Sequence, residues 1–204
     1  TRGSFGKLLS RWEEMEKSKI IPNEFWKKFI KWAKQEGIKG KITLLPCPAG
    51  LGCIDDKIKG YTEEELSELV NLFKNEYMKD FDINPEMITH TLAWDIKNKE
   101  LLPVTEYDWM AKQSEETLIE YMSEALRILK NVGIVAAGIT QPCNFRGDER
   151  VYARAVLEAE KRVNKISHTY YFLNNDGKSL KVKSPIVIAD KEKDEFVVSV
   201  ISAS

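Results

Sequence analysis

The sequence predicts an α/β protein built on a mainly parallel sheet, from three observations. Short apolar runs alternate with longer stretches whose apolar residues recur every three or four positions. Recognisable start and stop residues bound several of the long stretches. The 204 residues, 43% of them apolar, suit one domain spanning 1–204, and no internal repeat or low-complexity linker divides it. Strand–helix alternation implies parallel strands, in an open sheet or one closed into a barrel.

The elements follow in order. Residues 21–35 read as a helix: Pro22 sits near its start, Phe25, Phe29 and Ala33 recur every four residues, and Trp26, Ile30 and Trp32 widen the face. Gly37 and Gly40 mark a stop and a turn, and residues 41–46 form a short apolar strand. Thr62 caps a second helix over 63–79, with Glu65 completing a capping box and Leu66, Leu69, Val70, Phe73 and Tyr77 as its stripe. The next strand is expected at 87–94, after Pro85 and ending at Asp95. Ser114 precedes a third helix with Glu115 and Glu116 in its first turn; Leu118, Met122, Ala125 and Leu129 form its core face and Gly133 stops it.

Residues 134–139 read as a strand and 148–164 as a helix with Tyr152, Ala155, Val156, Ala159 and Val163 inward. Strands are then expected at 168–173, 180–183, 186–189 and 196–201, with a turn at Asn175-Asp-Gly177. Helical crossovers grow scarce here, so antiparallel strands are expected in the C-terminal part.

Charge narrows the partners. Lys and Arg total 31 against 32 Asp and Glu, a net −1, so the chain lacks the positive field that nucleic-acid binding needs. No apolar run reaches membrane-spanning length, and residues 1–10 do not form a signal peptide. The expectation is a soluble protein, cytoplasmic or exported. Cys47, Cys53 and Cys143 are an odd set, read first as unpaired thiols, with a disulfide or a metal or nucleophile role as alternatives.

In parallel α/β folds, sites lie beyond the C-terminal ends of the strands. Three polar loops qualify: 46–56, 90–95 and 140–148. Asp55 and Asp56 suit a cation or acid–base work, or a simple turn. His90, one of two histidines, suits a metal ligand or a proton donor near neutral pH. Arg146 suits a carboxylate, sugar or phosphate, or an ion pair with Asp148 or Glu149. Trp94 and Trp109 suit sugar stacking or core packing. The three loops are expected to share one cleft.

Two of these loops carry a resemblance. His90-Thr-Leu-Ala-Trp94, the following helix with Leu126-Arg-Ile-Leu-Lys-Asn-Val-Gly133, and Gly138-Ile-Thr-Gln-Pro-Cys-Asn-Phe-Arg-Gly147 together resemble the NodB-like polysaccharide deacetylases of the glycoside hydrolase/deacetylase β/α-barrel superfamily. The resemblance implies a distorted, incomplete β/α barrel and deacetylation of a glycan. It also implies a divalent metal such as zinc, with His90 and Asp95 as ligands. Asp55, Asp56, His90, Asp95 and Arg146 are then the catalytic candidates, with Trp94, Trp109 and Asn144 on the carbohydrate. Trp94 stands where the family's second His belongs, and an indole is no metal ligand. Weak zinc binding through His90 is therefore expected. The family's aspartate pair would lie on a strand before Thr1, or the chain never had it. The expected function is a carbohydrate-directed hydrolase; the alternatives are an inactive barrel that binds carbohydrate or a partner, and a metal-free enzyme pairing Cys47 or Cys143 with His90.

Overall fold

The structure, a computed structural model, describes residues 21–143, 145–173 and 184–201. Helix α1 (Asn23–Gln35) starts after the extended Pro22 and ends before Gly37, whose φ of 65° suits glycine. Trp26, Ile30 and Ala33 follow the i, i+4, i+7 spacing and seat the helix. Phe25 and Trp32 fall off that seam and remain 52% and 49% exposed.

Strand β1 (Gly40–Thr43) pairs in parallel with β2 (Phe81–Asn84), Ile42 lying opposite Ile83. A parallel pair needs a long crossover, supplied by helix α2 (Glu63–Asn75). Thr62 and Glu65 close the expected capping box, and Leu66, Leu69 and Phe73 are buried. The helix stops four residues earlier than expected; a single 3₁₀ turn, Tyr77–Lys79, leads into β2.

The expected strand at 87–94 divides differently. Residues 85–91 are a loop, with Met87 and His90 at φ of 56° and 62°. Strand β3 (Leu92–Asp95) then forms an antiparallel hairpin with β4 (Glu100–Thr105). Met87 and Ile88 are fully buried, so apolarity alone made this loop look like a strand.

Short helix α3 (Glu106–Met110) follows, then α4 (Glu115–Asn131), capped by Ser114. Strand β5 (Gly138–Thr140) and helix α5 (Glu149–Val163), capped by Asp148, lead to β6 (His168–Leu173). Strands β7 (Val187–Asp190) and β8 (Glu195–Ile201) complete the described elements. The strand expected at 180–183 lies outside the described residues.

The expected barrel is overturned. Strands β5, β6, β8 and β7 form a four-stranded sheet in that order, parallel except for antiparallel β7. The β1–β2 pair meets β5 through the Thr140 N–H bond to Pro85 O at 2.8 Å, without a strand ladder. The result is a mixed parallel and antiparallel arrangement with no closed sheet. Closure needs a continuous ladder of tilted strands. Here β5 has only three residues, and β7 ends its sheet antiparallel.

Helix α5 covers one face of the larger sheet, and α4 packs against α5. Tyr171 of β6 meets Tyr152 of α5 with ring centroids 5.2 Å apart, and Ala153, Ala155 and Ala159 are fully buried. Small side chains let α5 lie close to its neighbours. In β6, Thr169, Tyr171 and Leu173 are buried, while His168, Tyr170 and Phe172 point to the opposite, more open face. Among the described residues, no helix is long and apolar enough to cross a membrane.

Candidate functional site

The open face is where polar chemistry collects. Lys41 and Thr43 from β1, Asp82 and Asn84 from β2, Thr140 from β5, and Tyr170 and Phe172 from β6 form one connected group. Lys41 Nζ donates to Thr140 Oγ1 at 2.6 Å and to Thr43 Oγ1 at 3.1 Å, and lies 4.7 Å from the Phe172 ring centre. Thr140 donates onward to Asn84 Oδ1 at 2.8 Å, and the Asn84 amide reaches Asp82 at 3.3 Å and the Tyr170 hydroxyl at 3.4 Å.

Gly138 makes the Tyr170 position possible. A Cβ there would stand 2.5 Å from Tyr170 O and 2.7 Å from its ring. Burial pushes the Lys41 ammonium below its ordinary pKa, opposed by the Glu86 and Asp82 carboxylates. Burial raises the Asp82 carboxyl, opposed by Asn84, the Ala137 backbone and Lys41.

Immediately after β2, the loop presents Glu86 and His90. His90 Nδ1 stands 2.9 Å from Glu86 Oε1, with the imidazole half-exposed and the carboxylate mostly covered. The Glu86 partner raises the His90 pKa, and burial opposes it. Cys143, in the loop after β5, points its Sγ at the same Glu86 oxygen from 3.7 Å.

The loops around Cys47 and Cys143 adjoin the 85–91 turn, which meets the expected 90–95 loop only at its last two residues. Cys47 N–H donates to Ile88 O at 2.9 Å and Ala49 N–H to Thr89 O at 3.1 Å, while Cys143 approaches Glu86. The first loop is closed by a Cys47–Cys53 disulfide, which corrects the expectation of unpaired thiols for these two residues. A cross-link six residues long fits a tight loop and needs no wider framework. Cys47 is thereby taken out of any pairing with His90.

Of the other expected site residues, the structure brings few to this place. Asp55 accepts a bond from Asn131 at the end of α4. Together with Asp56 it lines a separate cavity of about 610 Å³ between α2 and the α4 end. Asp95 is occupied in the β3–β4 turn, accepting from Lys97 N, Asn98 N and Asn98 Nδ2 at 2.8–3.0 Å, and these bonds lower its pKa. Trp94 is buried in the core at 7% exposure, and Trp109 packs on Tyr121 at 4.7 Å. Arg146 is exposed. Asn144 lies outside the described residues.

Glu86, Lys41, Asn84 and Tyr170 escaped the sequence reading. Their signal was present: Phe81-Asp-Ile-Asn84 alternates apolar and polar residues, with a Pro-Glu step directly after it. Extending the preceding helix to Lys79 and placing the strand at 87–94 hid that pattern.

Comparisons with protein-family models, with curated proteins and with solved structures each returned no match. Among the described residues, no group of three or more His, Cys, Asp or Glu side chains is arranged to hold a metal ion. With the sheet unclosed as well, the resemblance to the polysaccharide deacetylases is overturned, and with it the barrel and the divergent metal site read from it.

Proposed function

We propose that the chain is a carbohydrate-directed hydrolase that removes acyl groups from a glycan, with His90 as its acid–base group. The Glu86–His90 pair, set beside the open sheet face, supports this reading above all else. Glu86 on Nδ1 orients the ring and stabilises the imidazolium, leaving Nε2 for substrate. The adjoining face offers a glycan the half-buried Tyr170 hydroxyl and Phe172 ring, while the buried Asn84 and Thr140 hold Tyr170 and Lys41 in place.

In the proposed step, His90 Nε2 takes a proton from water as its oxygen attacks the acyl carbon. The resulting oxyanion is balanced by the Lys41 ammonium. Collapse breaks the bond from the acyl carbon to the sugar oxygen or nitrogen. The leaving atom receives the proton back from His90. A carboxylic acid, which gives its remaining proton to solvent, and a deacylated sugar leave. Glycosidic cleavage is less well supported, because it ordinarily uses two carboxylates flanking the bond, whereas Glu86 is engaged by His90.

Incubation with O-acetylated and N-acetylated oligosaccharides, followed by acetate release, tests this. The parent protein should release acetate, and His90→Gln should lower the rate about 100-fold or more. No release from either class, or an unchanged rate in H90Q, would reject the proposal. Oligosaccharide binding without release would instead favour a carbohydrate-binding module.

A further inference from the structure

We infer that Glu106 is a positioning residue for the Glu86–His90 pair, acting through the backbone turn at 88–90. The inference rests on the reading of His90 as the acid–base group, but its test does not depend on turnover.

Glu106 opens α3 and is 1% exposed. Its carboxylate accepts the N–H of Ile88 at 2.9 Å, of Thr89 at 3.2 and 3.3 Å, and of His90 at 2.7 Å. The Tyr121 hydroxyl donates to it at 2.6 Å and accepts from Trp94 N–H at 3.0 Å. Three successive backbone donors thus converge on one buried carboxylate, an arrangement that offsets part of the cost of burying it without a cation.

The opposite side of the same turn is also held. Ile88 O and Thr89 O accept from Cys47 and Ala49 N–H. Between these two sets of bonds, His90 takes a φ of 62°, a conformation disfavoured for a residue with a Cβ. Such a conformation persists where its surroundings over-determine it. This backbone sets where the imidazole stands relative to Glu86. Glu106 itself is buried beneath the turn and does not reach the open face.

Glu106→Gln turns one of the two acceptor oxygens into an amide NH2, a donor facing the N–H groups of the turn, which frees the turn and uncouples Glu86 from His90. The experiment is an NMR pH titration of His90 in the parent, Glu86→Gln, Glu106→Gln and the double variant. This cycle separates coupling from the direct effect of the Glu106 charge. Glu86→Gln should lower the His90 midpoint in the parent and leave it nearly unmoved in the E106Q background. An equal shift in both backgrounds would overturn the inference.

If E106Q does not fold, Glu106→Asp takes its place. That variant keeps the charge and draws the carboxylate back by one methylene from the three N–H groups. It should weaken the Glu86–His90 coupling measurably, and full coupling in E106D would overturn the inference. Intact coupling loss in a chain that releases no acetate would reject the hydrolase reading while supporting the positioning role.

Discussion

His90 Nδ1 and Glu86 Oε1 lie 2.9 Å apart across a loop that carries no strand or helix. Because Glu86 raises the His90 pKa in the folded protein, folding stability is linked to this proton. The sign follows directly. The pair's contribution is fully present below the ordinary imidazole pKa of about 6.5 and is lost as pH rises through the higher folded value. His90 is 45% exposed, so screening keeps the contribution below about 1 kcal/mol. Urea unfolding at pH 5.5 and 9 should show Glu86→Gln costing more at the lower pH.

Glu160 gives a larger pH effect of the same sign. It is fully buried on α5, Asn164 Nδ2 reaches one carboxylate oxygen at 2.8 Å, and the other finds no hydrogen-bond partner among the described residues. Burial pushes its carboxyl up to about 8. The folded state therefore prefers the protonated acid, and stability falls as pH rises from the ordinary carboxylate range through that value. Glu160→Gln should melt at a higher temperature than the parent at pH 9, by an effect of a few kcal/mol, and nearly alike at pH 5. Equal melting shifts at both pH values would count against it.

The cysteines can be counted chemically. Cys47 and Cys53 are joined, and Cys143, outside the disulfide, is exposed. A native protein should yield one titratable thiol, and the reduced, unfolded chain three. Chain-entropy arguments for so short a loop give the cross-link about 2 kcal/mol of stability, so Cys53→Ser should lower the urea midpoint accordingly.

Phe73 tests the core that carries the site-bearing sheet. It is 1% exposed and packs its ring 4.7 Å from Tyr77 and 5.5 Å from Trp26, joining α2 to α1. Phe73→Ala should cost about 3–5 kcal/mol in denaturant unfolding. A loss under about 1 kcal/mol would show that α1 is not docked on α2 as described.

Much of the secondary structure was legible because local signals and burial agreed. Thr62 and Glu65 announced α2, apolar spacing announced α5, and β6 occupies the expected 168–173. The 85–91 loop was not legible for a physical reason. Met87 and Ile88 are buried, yet the loop's N–H groups are satisfied by a side chain sixteen to eighteen residues away, not by a neighbouring strand. No spacing rule connects Glu106 to that turn. The same displacement hid β2, and with it Glu86. His90 was visible as a rare residue at a loop, but its partner could be found only after Asn84 was recognised as a strand end. Asp55 and Asp95 looked reactive because they lie beside predicted strands; an amide and a turn instead absorb their carboxylates.

The pH–rate profile of acetate release, measured for the parent and Glu86→Gln on one oligosaccharide substrate, tests the central claim most directly. If His90 works as the base, the parent rate should rise with pH along a limb set by the elevated His90 pKa. Glu86→Gln should move that limb to lower pH and lower the plateau. Superimposable profiles for the two proteins would contradict the account.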